Sequence, residues 1–177
     1  MKNTLTILAI LFISVAFSQK KSFSAEALQD HLLNLDGTEI TFQEILEQHK
    51  GKPVLIDIWA SWCKDCIAGF PDLKKLQQDN PEIDYVFLSL DKEEARWKAG
   101  IEKYKLEGDH YYIKSGWKGP LCSSIDLDWI PRYILLDASG SSLGDLVLGK
   151  TDGPGRSFIR ISGEDAVYSV TPNLLFR

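Results

Sequence analysis

Strands alternating with helices, followed by a late hairpin, predict an α/β sandwich built on a mixed sheet. Two observations carry this reading. The first is a pair of apolar, β-branched runs, PVLIDIW at 53–59 and IDYVFLSL at 83–90, each followed by a stretch with helical periodicity. The second is RYILL at 132–136, ended by the turn signal Asp137-Ala-Ser-Gly140 and followed by an apolar run at 146–148 placed to pair back on it. A chain of 177 residues fits one domain with a small appendage.

Each element follows from its local pattern. Residues 24–35 carry Ala27, Leu28, Leu32 and Leu33 at a spacing that predicts a short amphipathic helix, closed by the turn Asp36-Gly37. Residues 39–41 predict a short strand. Phe42, Ile45 and Leu46 predict a helix over 42–49, broken at Gly51-Lys52-Pro53. The 53–59 run reads as a strand buried on both faces. A helix begins near Cys63 and faces Ile67, Phe70, Leu73 and Leu76 inward, with Pro71 expected to kink it and Asn80-Pro81 to end it. The 83–90 run is a second strand. A helix over 93–106 places Ala95, Ile101 and Tyr104 on one side, and the acids around Asp91 mark its start. Residues 111–113 read as extended.

Composition narrows the function classes. Hydrophobic residues make up 44% and charged residues 25%, the mix of a soluble globular protein. Three cysteines are too few for a disulfide-stapled scaffold, so the fold must rest on an apolar core. A net charge of −5 argues against a phosphate-neutralising nucleic-acid surface.

The first residues look like a targeting segment. Lys2 precedes an almost unbroken apolar run from Leu5 to Phe17, too short to span a bilayer comfortably. Ala16 and Ser18 lie three and one positions before Gln19, the spacing that signal peptidase reads. A secretory signal over 1–18 is therefore expected, an uncleaved anchor being the alternative. All three cysteines, Cys63, Cys66 and Cys122, would then work in an oxidising compartment.

The strongest chemical signal is Trp59-Ala-Ser-Trp62-Cys63-Lys64-Asp65-Cys66. Two cysteines three apart at a helix start lie about one turn from each other, within reach of a disulfide. Free N–H groups of the first turn favour a thiolate at Cys63 and lower its pKa. Cys66, one turn deeper, should be more buried and react second. A zinc site would need further paired ligands, and Cys122, His31, His49 and His110 are not spaced to supply them. Haem attachment needs a His directly after the second Cys, where Ile67 stands. A static bridge would close too small a loop to restrain the unfolded chain much. Dithiol redox chemistry is the favoured reading. No metal and no cofactor is expected.

The run VLIDIWASWCKDC resembles the thioredoxin superfamily, most closely the extracytoplasmic TlpA/ResA-type thiol:disulfide oxidoreductases of bacteria, over about 33–140. The resemblance implies a thioredoxin-like fold with a mixed central sheet flanked by helices. It further implies that Trp129-Ile130-Pro131-Arg132 is the family's cis-proline loop beside the cysteines. It also matches Asp57, six residues before Cys63, to a buried acid found in many members. Desolvation would raise the pKa of such an acid. Asp57 could then take the proton of Cys66 as that thiol becomes the attacking group. Cys63, Cys66 and Asp57 are thus the catalytic candidates, with Trp62, Ile130 and Pro131 as the apolar rim for the partner chain.

The remaining residues receive plainer readings. Cys122 reads as a small buried apolar group, a second redox thiol being the alternative. Trp97, Trp117 and Trp129 read as packing, with Trp129 able to line the substrate groove. His31, His49 and His110 read as isolated and solvated.

Residues 141–177 depart from the resemblance. In place of a closing amphipathic helix, 157–161 and 166–170 read as two strands joined by a turn at 162–165. This atypical β-rich segment should either cover the sheet or begin another domain, and the apolar stretch at 173–176 suggests a truncated chain. The expected partners are protein dithiols or disulfides and an upstream thiol electron donor, with no nucleic acid and no membrane span after signal cleavage. The expected form is a monomeric periplasmic reductant. An oxidase or isomerase, or a binding module with a static disulfide, are the alternatives. A peroxidase of the peroxiredoxin kind fits the paired cysteines poorly.

Overall fold

The computed structural model describes residues 23–150 and the strands at 157–161 and 167–169, with only strand pairing described from residue 142 onward. Nine strands form one mixed sheet. They are β1 (His31–Leu33), β2 (Glu39–Thr41), β3 (Val54–Trp59), β4 (Asp84–Ser89), β5 (Asp109–Ile113), β6 (Arg132–Leu136), β7 (Ser142–Lys150), β8 (Ser157–Ile161) and β9 (Val167–Ser169). Their spatial order is β2-β1-β5-β4-β3-β6-β7-β8-β9. β3 runs parallel to β4, and β4 to β5; every other pair is antiparallel. The helices are α1 (Ala25–Leu28), α2 (Phe42–Gln48), α3 (Lys64–Asp79), α4 (Glu94–Tyr104) and α5 (Pro120–Ser124).

The central strand β3 is buried along its whole length, as its apolar composition requires. Alternation divides it into two faces. Leu55, Asp57 and Trp59 face α3 and α4: Trp59 meets Phe70 of α3 edge-on at 5.6 Å, and its ring lies against Gly100 of α4. Val54, Ile56 and Ile58 face the opposite side, where Leu46 of α2 lies near Val54 and Leu136. There α1 packs on α2 and α5.

Several expectations change against this frame. The helix expected over 24–35 is one turn, Ala25–Leu28, capped by the Ser24 hydroxyl, which accepts from the Ala27 N–H at 3.1 Å. The rest becomes β1, because its backbone pairs with β2 on one side and β5 on the other. Asp30, at the break, is buried and accepts from the Ser115 hydroxyl at 2.8 Å and the Leu121 N–H at 3.1 Å. Those distant donors override the helical spacing. On α4 the inward residues are Trp97 and Gly100, with Ile101 and Tyr104 partly buried, while Ala95 is exposed. Gly100 sets that face, since its bare Cα admits Trp59 and Ser61.

Of the acids read at the start of α4, Glu94 lies in its first turn, whereas Asp91 precedes the helix. Asp91 is buried and accepts from the Ser61 N–H at 3.0 Å, the Ser61 hydroxyl at 2.7 Å and the Ser89 hydroxyl at 2.9 Å. Two histidines expected in solvent are buried. His49 Nδ1 lies 2.9 Å from Asp84 Oδ2, and Lys52 Nζ donates to Asp84 Oδ1 at 3.0 Å. His110 stacks on Phe87 with its Nε2 3.1 Å from the Leu106 carbonyl. Of the tryptophans expected as packing, Trp97 is fully buried, whereas Trp117 and Trp129 are exposed.

The hairpin strand is longer than its apolar core, covering Ser142–Lys150 with a register shift opposite Leu135 and Leu136. β8 and β9 then extend the sheet at its edge. The turn expected at 162–165 and the apolar stretch at 173–176 lie outside the described residues.

Candidate functional site

The site forms where β3 gives way to α3. The Cys63 N–H donates to the Ala60 carbonyl at 3.0 Å, closing the turn after the strand. Cys63 is the N-cap of α3: its carbonyl accepts from Ile67 N–H at 3.1 Å, and its sulfur accepts from the Cys66 N–H at 3.1 Å. Capping by a cysteine sulfur directs helix-terminal N–H groups at the atom that would bear thiolate charge. Cys63 and Cys66 are joined by a disulfide, with their Cα atoms 5.3 Å apart. Cys66 is fully buried, and Cys63 retains slight exposure.

A second loop closes over the pair. The Ile130–Pro131 peptide is cis, and the Ile130 carbonyl oxygen lies 3.7 Å from Cys63 Sγ. This joins residues 67 positions apart in sequence. Trp62 and Trp129 stand exposed at 48% and 51%. The Arg132 guanidinium lies 5.7 Å from the Trp129 ring centroid and pairs with Asp128 at 2.8 Å.

Asp57 lies below this surface, 2% exposed, at mid-length of β3. Its two carboxyl oxygens have no hydrogen-bond partner among the described residues. Burial therefore pushes its carboxyl well above the usual carboxylate range. Alternation turns the side chain toward the face covered by α3, the helix that carries Cys66.

Of the residues singled out from sequence, Cys63, Cys66 and Ile130 come together directly. Pro131 is in the same loop, and Trp62 adjoins Cys63. Asp57 is on the sheet face covered by α3. Asp91 was missed as a site-supporting residue. It ties Ser61, two positions before Cys63, to the end of β4. The signal available was the Ser89-Leu-Asp91 alternation at a strand end, but nothing in it named Ser61 as the partner.

The arrangement can form and break one sulfur–sulfur bond beside an apolar, aromatic surface. Among the described residues no cluster of His, Cys, Asp or Glu could hold a metal ion.

Comparisons with known proteins agree with this architecture. A family profile described as Thioredoxin-like matches residues 51–142, which include both cysteines and the cis-proline loop. A Haemophilus influenzae protein described only as uncharacterized is 30% identical over 155 residues, covering 85% of this chain and 90% of that one. The soluble secreted antigen MPT53 of Mycobacterium tuberculosis is 22% identical over 136 residues, covering 77% of this chain and 75% of that protein. The solution structure of a putative thiol-disulfide oxidoreductase from Bacteroides vulgatus is similar with a TM-score of 0.55 and 28% identity, covering 71% of this chain and 80% of that one. With the profile match extending over more than half of its residues, the chain belongs to the thioredoxin-like family.

Proposed function

We propose that this protein is a thiol:disulfide oxidoreductase that reduces protein disulfides outside the cytoplasm. The observation that carries the reading is the Cys63–Cys66 disulfide at the start of α3, with the Ile130 carbonyl beside its outer sulfur. In the dithiol form the Cys63 thiolate attacks one sulfur of a substrate disulfide. A mixed disulfide forms, and the other substrate sulfur leaves as a thiolate. Asp57, in its ionised form, accepts the Cys66 proton. The Cys66 thiolate then attacks Cys63 Sγ, breaks the mixed disulfide and expels the second substrate sulfur, which takes up a proton. The substrate gains two electrons from the cysteine sulfurs and two protons, one passed on from Asp57 and one returned by solvent in place of that lost when Cys63 ionised, and the enzyme is left as the disulfide. An upstream protein dithiol restores it. Trp62, Ile130 and Pro131 form the apolar edge against which the substrate chain lies.

Export rests on the first residues. Residues 1–18 serve as a secretory signal, 19–140 carry the redox unit, and β7, β8 and β9 extend its sheet. Among the described residues no helix is long and apolar enough to cross a membrane.

One experiment tests both parts. Cys66→Ser is expressed in the native host, and Cys63 adducts and the mature N-terminus are read by mass spectrometry. Trapped protein partners on Cys63 and a chain beginning at Gln19 are expected. The wild type should catalyse insulin reduction, with a reduction potential above about −300 mV, the range below which structural disulfides fall. An empty trap together with a potential below that limit removes the activity. A retained residue 1–18 removes the cleavage.

A further inference from the structure

Tyr133 of β6 is directly opposite Asp57 across the β3–β6 pairing, so both side chains project from the same face of the sheet. Its hydroxyl reaches α3: a Cβ added to Gly69 would lie 3.1 Å from it. Gly69 follows Cys66 by three residues, on the same stripe of the helix. The carboxyl of Asp57, the phenol of Tyr133 and the Cys66 stripe of α3 therefore share one enclosed layer. Tyr133 is 3% exposed, and like the Asp57 carboxyl its hydroxyl has no hydrogen-bond partner among the described residues. Two buried polar groups on facing strands, each lacking a partner, are an unusual pair to retain unless one serves the other.

We propose that the Tyr133 hydroxyl donates a hydrogen bond to the Asp57 carboxylate whenever that acid is ionised, making Tyr133 a positioning residue for the resolving half-reaction. This rests on the reading of Asp57 as the group that takes the Cys66 proton. When Asp57 is protonated it needs no donor, and the pair stays apart as observed. When it ionises, a small turn of the carboxyl toward the phenol replaces the water it cannot reach. Tyr133 remains a donor throughout the working range, because burial, with the Asp57 and Asp72 charges, holds its phenol far above its ordinary value.

The other titratable groups on this face leave the role open for Tyr133. Tyr85 of β4 donates to the Leu76 carbonyl at 3.2 Å. Tyr104 of α4 lies against Phe70, with ring centroids 5.4 Å apart. Asp72 of α3 is an acceptor, and Cys66 is the proton source. His110 of β5 lies two strands from Asp57 with Phe87 between them, its ring stacked on Phe87 and its Nε2 3.1 Å from the Leu106 carbonyl. Trp59 also has an indole N–H here with no partner among the described residues, but the far edge of its ring is wedged against Gly100 of α4.

The test separates the two thiol steps. Reduced protein in a Cys122→Ser background is mixed with an aromatic disulfide reporter such as dithiobis-nitrobenzoate. Release of the first chromophore reports attack by Cys63, and release of the second reports attack by Cys66. Stopped-flow traces are collected across the pH range. A donor to an ionised acid lowers that acid's pKa, so Tyr133→Phe should move the midpoint of the second phase upward by about one pH unit. The first phase should stay unchanged. In an Asp57→Asn background, Tyr133→Phe should add no further shift. Gly69→Ala keeps the hydroxyl but crowds it aside, and should shift the second phase in the same direction, which preserves the test if Tyr133→Phe folds poorly. A second phase that overlays the wild type in both the Tyr133 and Gly69 variants overturns the inference, as does an equal shift with Asp57 already replaced. If Asp57→Asn itself leaves the second phase unaltered, the Asp57 reading fails and takes this inference with it. If Asp57→Asn moves that phase and Tyr133→Phe does not, only the inference fails.

Discussion

Cys122 shows how far surroundings separate chemically identical side chains. It is fully buried in α5, and burial, with the nearby Asp30 charge, pushes its thiol up to about 12. Relative to an ordinary cysteine near 9.0, that leaves roughly a thousandfold less thiolate at neutral pH. Cys63 instead caps a helix and retains slight exposure. With the reduced protein and iodoacetamide at mild alkaline pH, Cys63 should label within minutes and Cys122 only after denaturation, as read by peptide mapping. Equal labelling of the two would remove the distinction. The burial of Cys122 was legible, because a lone cysteine is most often a small buried apolar group. The burial of His49 was not. Its partner Asp84 lies 35 positions away, and no local pattern names a partner at that range. Tyr133 was hidden for the same reason, as one aromatic residue in an apolar strand whose opposite number is known only once β6 pairs with β3.

At the scale of elements, the loop carrying Cys63 is held by packing as much as by hydrogen bonds. A Cβ at Gly100 would lie 2.9 Å from Ser61 Cβ and 3.0 Å from Trp59 Cη2. Neither neighbour yields readily: Trp59 is fully buried, and Ser61 is bound twice to Asp91. Gly to Ala in a helix interior is ordinarily worth about 1 kcal/mol in favour of Ala. Overpacking a tight core costs about 1–3 kcal/mol. Here the second effect should win. Gly100→Ala is expected to lower stability by about 1–2 kcal/mol in urea unfolding, and to slow reduction of a model disulfide by displacing Ser61 and the cysteine turn. A gain in stability would show that the loop gives way freely. The helices α3 and α4 were both readable from periodicity, but the buried side of α4 was not. Counting apolar residues favoured Ala95, whereas the real contact is made by a glycine, which hydrophobicity does not mark.

Across the whole molecule, two buried groups pull stability in opposite directions along the pH axis. Burial raises the Asp57 pKa in the folded chain above its unfolded value. The folded state therefore holds this proton more tightly, and the stabilisation present below the unfolded value is lost as pH rises through the folded one. His110 is the reverse. Burial lowers its pKa, partly opposed by the Leu106 carbonyl and Asp109, so its stabilisation is present above the unfolded value and lost as pH falls through the folded one. The urea midpoint of the oxidised protein, followed from mildly acidic to alkaline pH, should thus form a dome. Asp57→Asn should flatten the alkaline side, with its advantage over the wild type widening as pH rises. His110→Phe should flatten the acid side and leave the alkaline side alone, since Phe87 supplies an aromatic surface for the new ring to stack on. If Asp57→Asn moves the midpoint equally at every pH, burial does not raise this carboxylate's affinity for a proton. An ionised Asp57 would then be too weak a base to draw the proton from the Cys66 thiol.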